Sequence, residues 1–106
     1  MKELETLEEV KLHLQDNTGP FLFYFTAKWC GPCRSIYPML LKLEEGISTE
    51  KLEFIKIDID ENDEFSDKND IRSVPTFLLY KDNEVKDRIT GADIHKVGEL
   101  IKTHIV

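Results

Sequence analysis

The chain is short of cysteines, of long apolar runs and of basic charge, and each shortage removes a class of protein. Its 106 residues include two cysteines, Cys30 and Cys33, so a secreted scaffold stapled by several disulfides is excluded. A structural zinc site is disfavoured too: it takes four ligands, a third cysteine is missing, and His13, His95 and His104 fall on segments far from the pair, where they read as surface residues. No metal is expected. The longest purely apolar stretch is the five residues Phe21–Phe25, against about 20 for a membrane-spanning helix. The opening Met1-Lys2-Glu3-Leu4-Glu5 has no apolar signal region. A soluble, cytoplasmic chain without a membrane partner is therefore expected. The formal charge of −7 opposes nucleic-acid binding. Asp58-x-Asp60-x-Asn62 begins like a calcium loop, but Asp63 stands where that loop needs glycine and Asn69 where it needs glutamate. The acidic run Asp58–Asp70 is thus expected to be a solvated face.

What is present is ordinary globular material, 41% hydrophobic and 33% charged, with no repeat, linker or low-complexity segment. One domain over residues 1–106 is expected, burying about two-thirds of its unfolded surface. Both cysteines sit in Trp29-Cys30-Gly31-Pro32-Cys33, directly after the aromatic run from Phe21. That run reads as a central strand covered on both faces, and Cys33–Leu43 has helical apolar spacing. The pair therefore lies at a strand-to-helix turn, where Gly31 allows a tight entry and Pro32 suits the first helical position. Two thiols at this spacing can close and reopen a disulfide. Cys30 would face the free amides of the helix, which favour its thiolate and make it the attacking sulfur.

The remaining elements follow by pattern. Thr6 and Glu9 form a capping box opening a helix to Gln15, with Leu7, Val10, Leu12 and Leu14 as its apolar face. Ile36, Met39, Leu40 and Leu43 share a stripe of the second helix, which contains Pro38 and stops at Gly46; Met39 is assigned to the core. Leu52–Ile59 alternates as a strand, placing Lys56 and Asp58 on its polar face. Glu61–Asn69 is a short polar helix, Phe77–Tyr80 and Val85–Thr90 are antiparallel strands about a turn at Lys81–Glu84, and Asp93 caps a last helix with Ile94, Val97, Leu100, Ile101 and Ile105 on one face. A short first strand lies within residues 1–5. The order β-α-β-α-β-α-β-β-α gives an α/β fold with a mixed sheet of about five strands and about four flanking helices.

Trp-Cys-Gly-Pro-Cys after an aromatic strand, followed by Val74-Pro75-Thr76 and then Gly91-Ala92, resembles the thioredoxin family over nearly the whole chain. The resemblance implies the thioredoxin fold and a thiol–disulfide oxidoreductase acting as a monomer. Cys30 would attack a disulfide-containing protein substrate and Cys33 would resolve the mixed disulfide. The Cys30–Cys33 disulfide itself is the redox centre, without a bound cofactor, and NADPH enters only indirectly through a thioredoxin reductase-like donor. It further implies that Pro75 is cis and packs beside the disulfide, and that Trp29, Val74, Pro75, Gly91 and Ala92 form the substrate groove. Lys56 matches a family lysine that lies near a buried aspartate behind the disulfide, but Tyr24 occupies that aspartate's place. A phenol stays protonated near neutral pH and is a poor base, so Tyr24, Lys56 and trapped water are the candidates for any proton relay. A second reading from another class is a redox-linked binding module that uses the groove, with catalysis secondary. Replacing both cysteines by serine would leave its binding intact.

Overall fold

Every residue of Phe21–Thr26 is buried, and the sheet is built outward from this strand. The computed structural model describes residues 1–105; of the expected domain 1–106, Val106 lies outside them. The elements are β1 (Lys2–Glu3), α1 (Leu7–Asp16), β2 (Phe21–Thr26), α2 (Gly31–Glu45), β3 (Glu53–Asp58), α3 (Asp63–Lys68), β4 (Thr76–Lys81), β5 (Glu84–Thr90) and α4 (Ile94–Ile105). They form a five-stranded sheet in the order β1-β3-β2-β4-β5. β2 runs parallel to β3 and antiparallel to β4, so both of its edges are paired.

Alternation along β2 then divides the core in two. Leu22 and Tyr24 point to one face, where Ile36 and Leu40 of α2 and Val97, Leu100 and Ile101 of α4 cover them. Phe21, Phe23 and Phe25 point to the other, against Val10 of α1 and Phe65 of α3. Each fully buried aromatic contributes about 1.5–3 kcal/mol of hydrophobic stabilisation, which explains why both halves of the core centre on this run. Among the described residues, no helix is long and apolar enough to cross a membrane.

Local signals act as their chemistry requires, with some changes. Thr6 caps α1 by accepting the Glu9 amide, but Glu9 reaches back to the amide of Glu5 rather than to that of Thr6. The β4–β5 turn has Asp82 and Asn83 at positive φ, the signature of a two-residue hairpin whose twist matches its strands. Asp93 Oδ1 accepts the amides of His95 and Lys96, capping α4. α2 starts at Gly31, so Pro32 holds its second position, not its first.

Several expected faces are corrected. Leu12 and Met39 are 57% and 48% exposed, because each lies at the margin of its helix's apolar stripe rather than over the sheet. The acidic run is not wholly solvated: Asp58, Asn62 and Ser66 are buried. Asn62 caps α3 through the Phe65 amide, and the Ser66 hydroxyl donates to the Asn62 carbonyl, whereas Asn62 Nδ2 is buried without a hydrogen-bond partner among the described residues. His13 is not a free surface residue, since its Nε2 lies 2.5 Å from Glu53 Oε1.

Candidate active site

The sheet ends and α2 begins within a few residues, and this junction carries the two cysteines. Cys30 is the N-cap of α2. Its Sγ accepts the Cys33 amide at 3.2 Å, so an N–H of the helix's first turn points at the sulfur. An anionic sulfur placed there is favoured both by that hydrogen bond and by the helix dipole. The two residues are disulfide-bonded with Cα atoms 5.3 Å apart, a separation within the normal range for a bridge. Cys30 retains 5% exposure and Cys33 none. The chain therefore presents one sulfur outward and keeps the other behind it.

The side chains picked out by the sequence surround this pair. Trp29 is 66% exposed and its indole donates to Asp60 Oδ2 at 2.9 Å, which fixes the ring beside the cysteines. Val74 joins Ala27, Cys30 and Cys33 in one small apolar cluster, and Cys30 Sγ lies 3.7 Å from the Val74 carbonyl oxygen. The Val74–Pro75 bond is cis and Pro75 is buried. Gly91 has φ +104, a conformation that L side chains rarely adopt, and its amide donates to the Pro75 carbonyl at 2.9 Å. That bond links the start of β4 to the end of β5, and Ala92 follows it on the exposed surface. Gly31 is partly exposed and Pro32 exposed, so the turn between the cysteines is open to an approaching chain.

Behind the disulfide the arrangement differs from the expected one. Tyr24 is 1% exposed and its ring stacks between those of Phe77 and Tyr37, with centroids 5.4 and 6.1 Å away. Its hydroxyl donates to the Cys33 carbonyl at 2.7 Å, not to a sulfur. Burial pushes the phenol's pKa above its ordinary value, against a smaller pull downward from the neighbouring Thr26 hydroxyl. Tyr24 thus ties α2 to the sheet as a neutral donor. Lys56 pairs with Tyr24 across β2 and β3, and its Nζ sits 4.9 Å from the centre of the Tyr37 ring. It lies under α2, partly buried, and not on a polar outer face. The even-numbered side chains of β3 point the same way, so Asp58 also turns inward at 4% exposure.

These groups border a cavity of about 370 Å³ that reaches Cys33 from the side away from the groove. Asp58, Arg34 and Tyr37 line it as well, and sequence reasoning gave them no part. Asp60, the partner of Trp29, was missed likewise. The signal for Asp58 was its even spacing from Lys56, which becomes informative only once β3 is known to lie between β1 and β2 under a helix.

Comparison with known proteins gives a consistent picture. The sequence profile of the family described as Thioredoxin matches residues 3–103. The chain is 38% identical over 92 residues to a thioredoxin of Bacillus subtilis, covering 86% of this chain and 88% of that one. It is 36% identical to Thioredoxin Asp f 28 of Aspergillus fumigatus, covering 82% of this chain and 80% of that one. The X-ray structure of Fasciola hepatica thioredoxin superposes with a TM-score of 0.89 at 36% identity, covering 98% of this chain and 99% of that one.

Proposed function

The chain belongs to the thioredoxin family and is a thiol–disulfide oxidoreductase, a protein-disulfide reductase; within that activity we propose that Cys30 is the attacking thiolate and Cys33 the resolving thiol. The observation that carries this order is the Cys33 amide aimed at Cys30 Sγ at 3.2 Å, with Cys33 itself fully buried. In the first step the Cys30 thiolate displaces one sulfur of a substrate disulfide, forming a mixed disulfide and releasing a substrate thiolate. In the second, Cys33 attacks Cys30, closes the internal disulfide and releases the other substrate sulfur. Two electrons pass to the substrate. A flavin-type reductase drawing on NADPH is the proposed source that restores the dithiol, so that the protein relays electrons without binding a cofactor itself.

Substrates are disulfide-containing proteins whose extended backbone pairs with Val74 in the groove formed by Trp29, Val74, Pro75, Gly91 and Ala92. The protein acts as a monomer in a reducing compartment, the cytoplasm. Supporting this is cysteine usage: both thiols are committed to the reactive pair, as suits a place where structural disulfides do not persist. Nucleic acid and membranes are not partners, in keeping with the net charge of −7.

The deciding experiment incubates Cys33→Ser protein with a disulfide-bonded protein substrate. A mixed disulfide through Cys30 should accumulate, because attack remains and resolution is gone, whereas Cys30→Ser protein should form none. Accumulation through Cys33 in Cys30→Ser protein at a comparable rate would reverse the assignment.

A further inference from the structure

Resolution needs a thiolate, so Cys33 must lose a proton, yet the residue is 0% exposed. The exit open to that proton is the cavity behind the disulfide. Besides Asp58, the ionisable or charged side chains bordering it are Glu3, Tyr24, Lys28, Arg34, Tyr37 and Lys56. Most cannot accept a proton near neutral pH. Arginine and lysine are already protonated there, and Lys28 is further held in that form by Glu61 at 3.1 Å. Phenols are neutral acids, and Tyr24 commits its hydroxyl to the Cys33 carbonyl. Glu3 is exposed on the two-residue edge strand β1. Asp58 remains: a buried carboxylate on the face of β3 that α2 covers, bordering the same cavity as Cys33.

The carboxylate is only partly engaged. Its Oδ1 accepts the amides of Asp60 at 2.9 Å and Glu61 at 3.4 Å, closing the turn after β3. Among the described residues, Oδ2 has no hydrogen-bond donor. We infer that Asp58 accepts the proton of Cys33 during resolution, through water in the cavity; the inference rests on the reading of Cys33 as the resolving thiol. The proton passes from Cys33 Sγ to Asp58, the Cys33–Cys30 bond forms, and the Cys30–substrate bond breaks. The departing substrate sulfur leaves with the electron pair and takes up a proton from solvent, after which Asp58 returns its own to water.

The test uses the reduced protein and an aromatic disulfide whose released thiolate is coloured, followed by stopped flow. The first release scales with reagent concentration and reports attack by Cys30. The second does not and reports resolution by Cys33. Asp58→Asn keeps the turn acceptor and removes the base, so the first phase should be unchanged. The second should slow by about 10²-fold, the lower end of what a positioned acid–base group contributes. The pH dependence separates a chemical from a structural role. In the unaltered protein the second phase should be level between the carboxylate and thiol ranges, whereas in Asp58→Asn it should climb throughout. An Asp58→Asn second phase with unaltered rate and profile overturns the inference. Should that variant not fold, the unaltered protein decides alone, because a second phase climbing steadily with pH also overturns it. Persistence of the first phase in Cys30→Ser protein would instead refute the assignment of Cys30.

Discussion

Replacing Tyr24 with phenylalanine deletes one hydroxyl from the centre of the molecule and leaves the ring between Tyr37 and Phe77. Packing is therefore retained, and the loss is the 2.7 Å hydrogen bond to the Cys33 carbonyl. That carbonyl lies inside α2 and keeps the helical amide one turn on, so it is not orphaned. The cost should be that of one net hydrogen bond, about 0.5–1.5 kcal/mol. For a domain of this size a loss of about 1 kcal/mol lowers the melting temperature by about 4–8 °C. The pH dependence gives a second check. Because burial raises the phenol's pKa in the folded protein, the unfolded chain loses this proton first as pH rises. The stabilisation is complete below the unfolded value of about 10 and is lost as pH climbs through the higher folded value. The stability gap between the unaltered protein and Tyr24→Phe should therefore be constant near neutrality and shrink in strong alkali. Denaturant melts at a series of pH values measure it. A variant as stable as the parent at neutral pH, or a gap that widens in alkali, would refute the reasoning. Reduction of a protein disulfide at neutral pH should proceed at the parent's rate, since a neutral phenol donating to a carbonyl has no proton to accept.

Tyr24→Asp should speed resolution, by placing a base under Cys33, while losing about 3–5 kcal/mol for the deleted aromatic packing and more for a buried carboxyl; stopped flow beside thermal melts reads both, and an unchanged resolution rate in a folded variant counts against the effect. Trp29→Ala should raise KM for a protein disulfide and leave stability within about 0.5 kcal/mol, because the ring is 66% exposed; paired kinetics and melts check it. Leu40→Ala should cost about 2–5 kcal/mol, as Leu40 is fully buried between α2 and the sheet, with the loss read from urea unfolding. Asn83→Ala should cost about 1 kcal/mol, since φ is +64 there, and Asn83→Gly should not.

The element order was legible because each segment carries its own signal. The aromatic run of β2, the Asp82-Asn83 turn and the caps at Thr6 and Asp93 are local, and local chemistry suffices to place them. The cysteine pair was legible for the same reason: its spacing, its glycine and proline and the flanking strand and helix are contiguous in the chain. What failed depended on neighbours. Leu12 and Met39 fit their helical stripes as well as Leu14 and Leu40 do, and only the width of the sheet beneath decides which are covered. Lys56 and Asp58 alternate with isoleucines, a pattern that fits a strand with one wet face. Phe54, however, shares their parity and is buried. β3 is covered on both faces, and α2 turns the supposed wet face into the floor of the active site.

That inversion bears on how this chain can work with a phenol, Tyr24, where the family resemblance implies a carboxylate. A carboxylate at the centre of the sheet must be desolvated in every folded molecule, a cost that grows with its distance from water. Tyr24 removes that cost, fills the space with stacked aromatic contact and fastens α2 through a neutral hydrogen bond. Asp58 pairs across the sheet with Thr26, two residues beyond Tyr24 and at the end of β2. There two backbone amides already donate to its Oδ1, so the carboxylate is anchored by the turn after β3. Moving the ionisable group from mid-strand to strand end thus separates two demands that one central residue would have to meet together, a dry core under α2 and a base within reach of Cys33. The separation carries a kinetic consequence: the proton must cross the cavity through water instead of passing directly. Resolution should therefore be more sensitive than attack to substitutions that make that cavity less able to hold water, and Thr26→Val, which replaces a cavity-lining hydroxyl by a methyl at equal volume, should slow the second phase and spare the first.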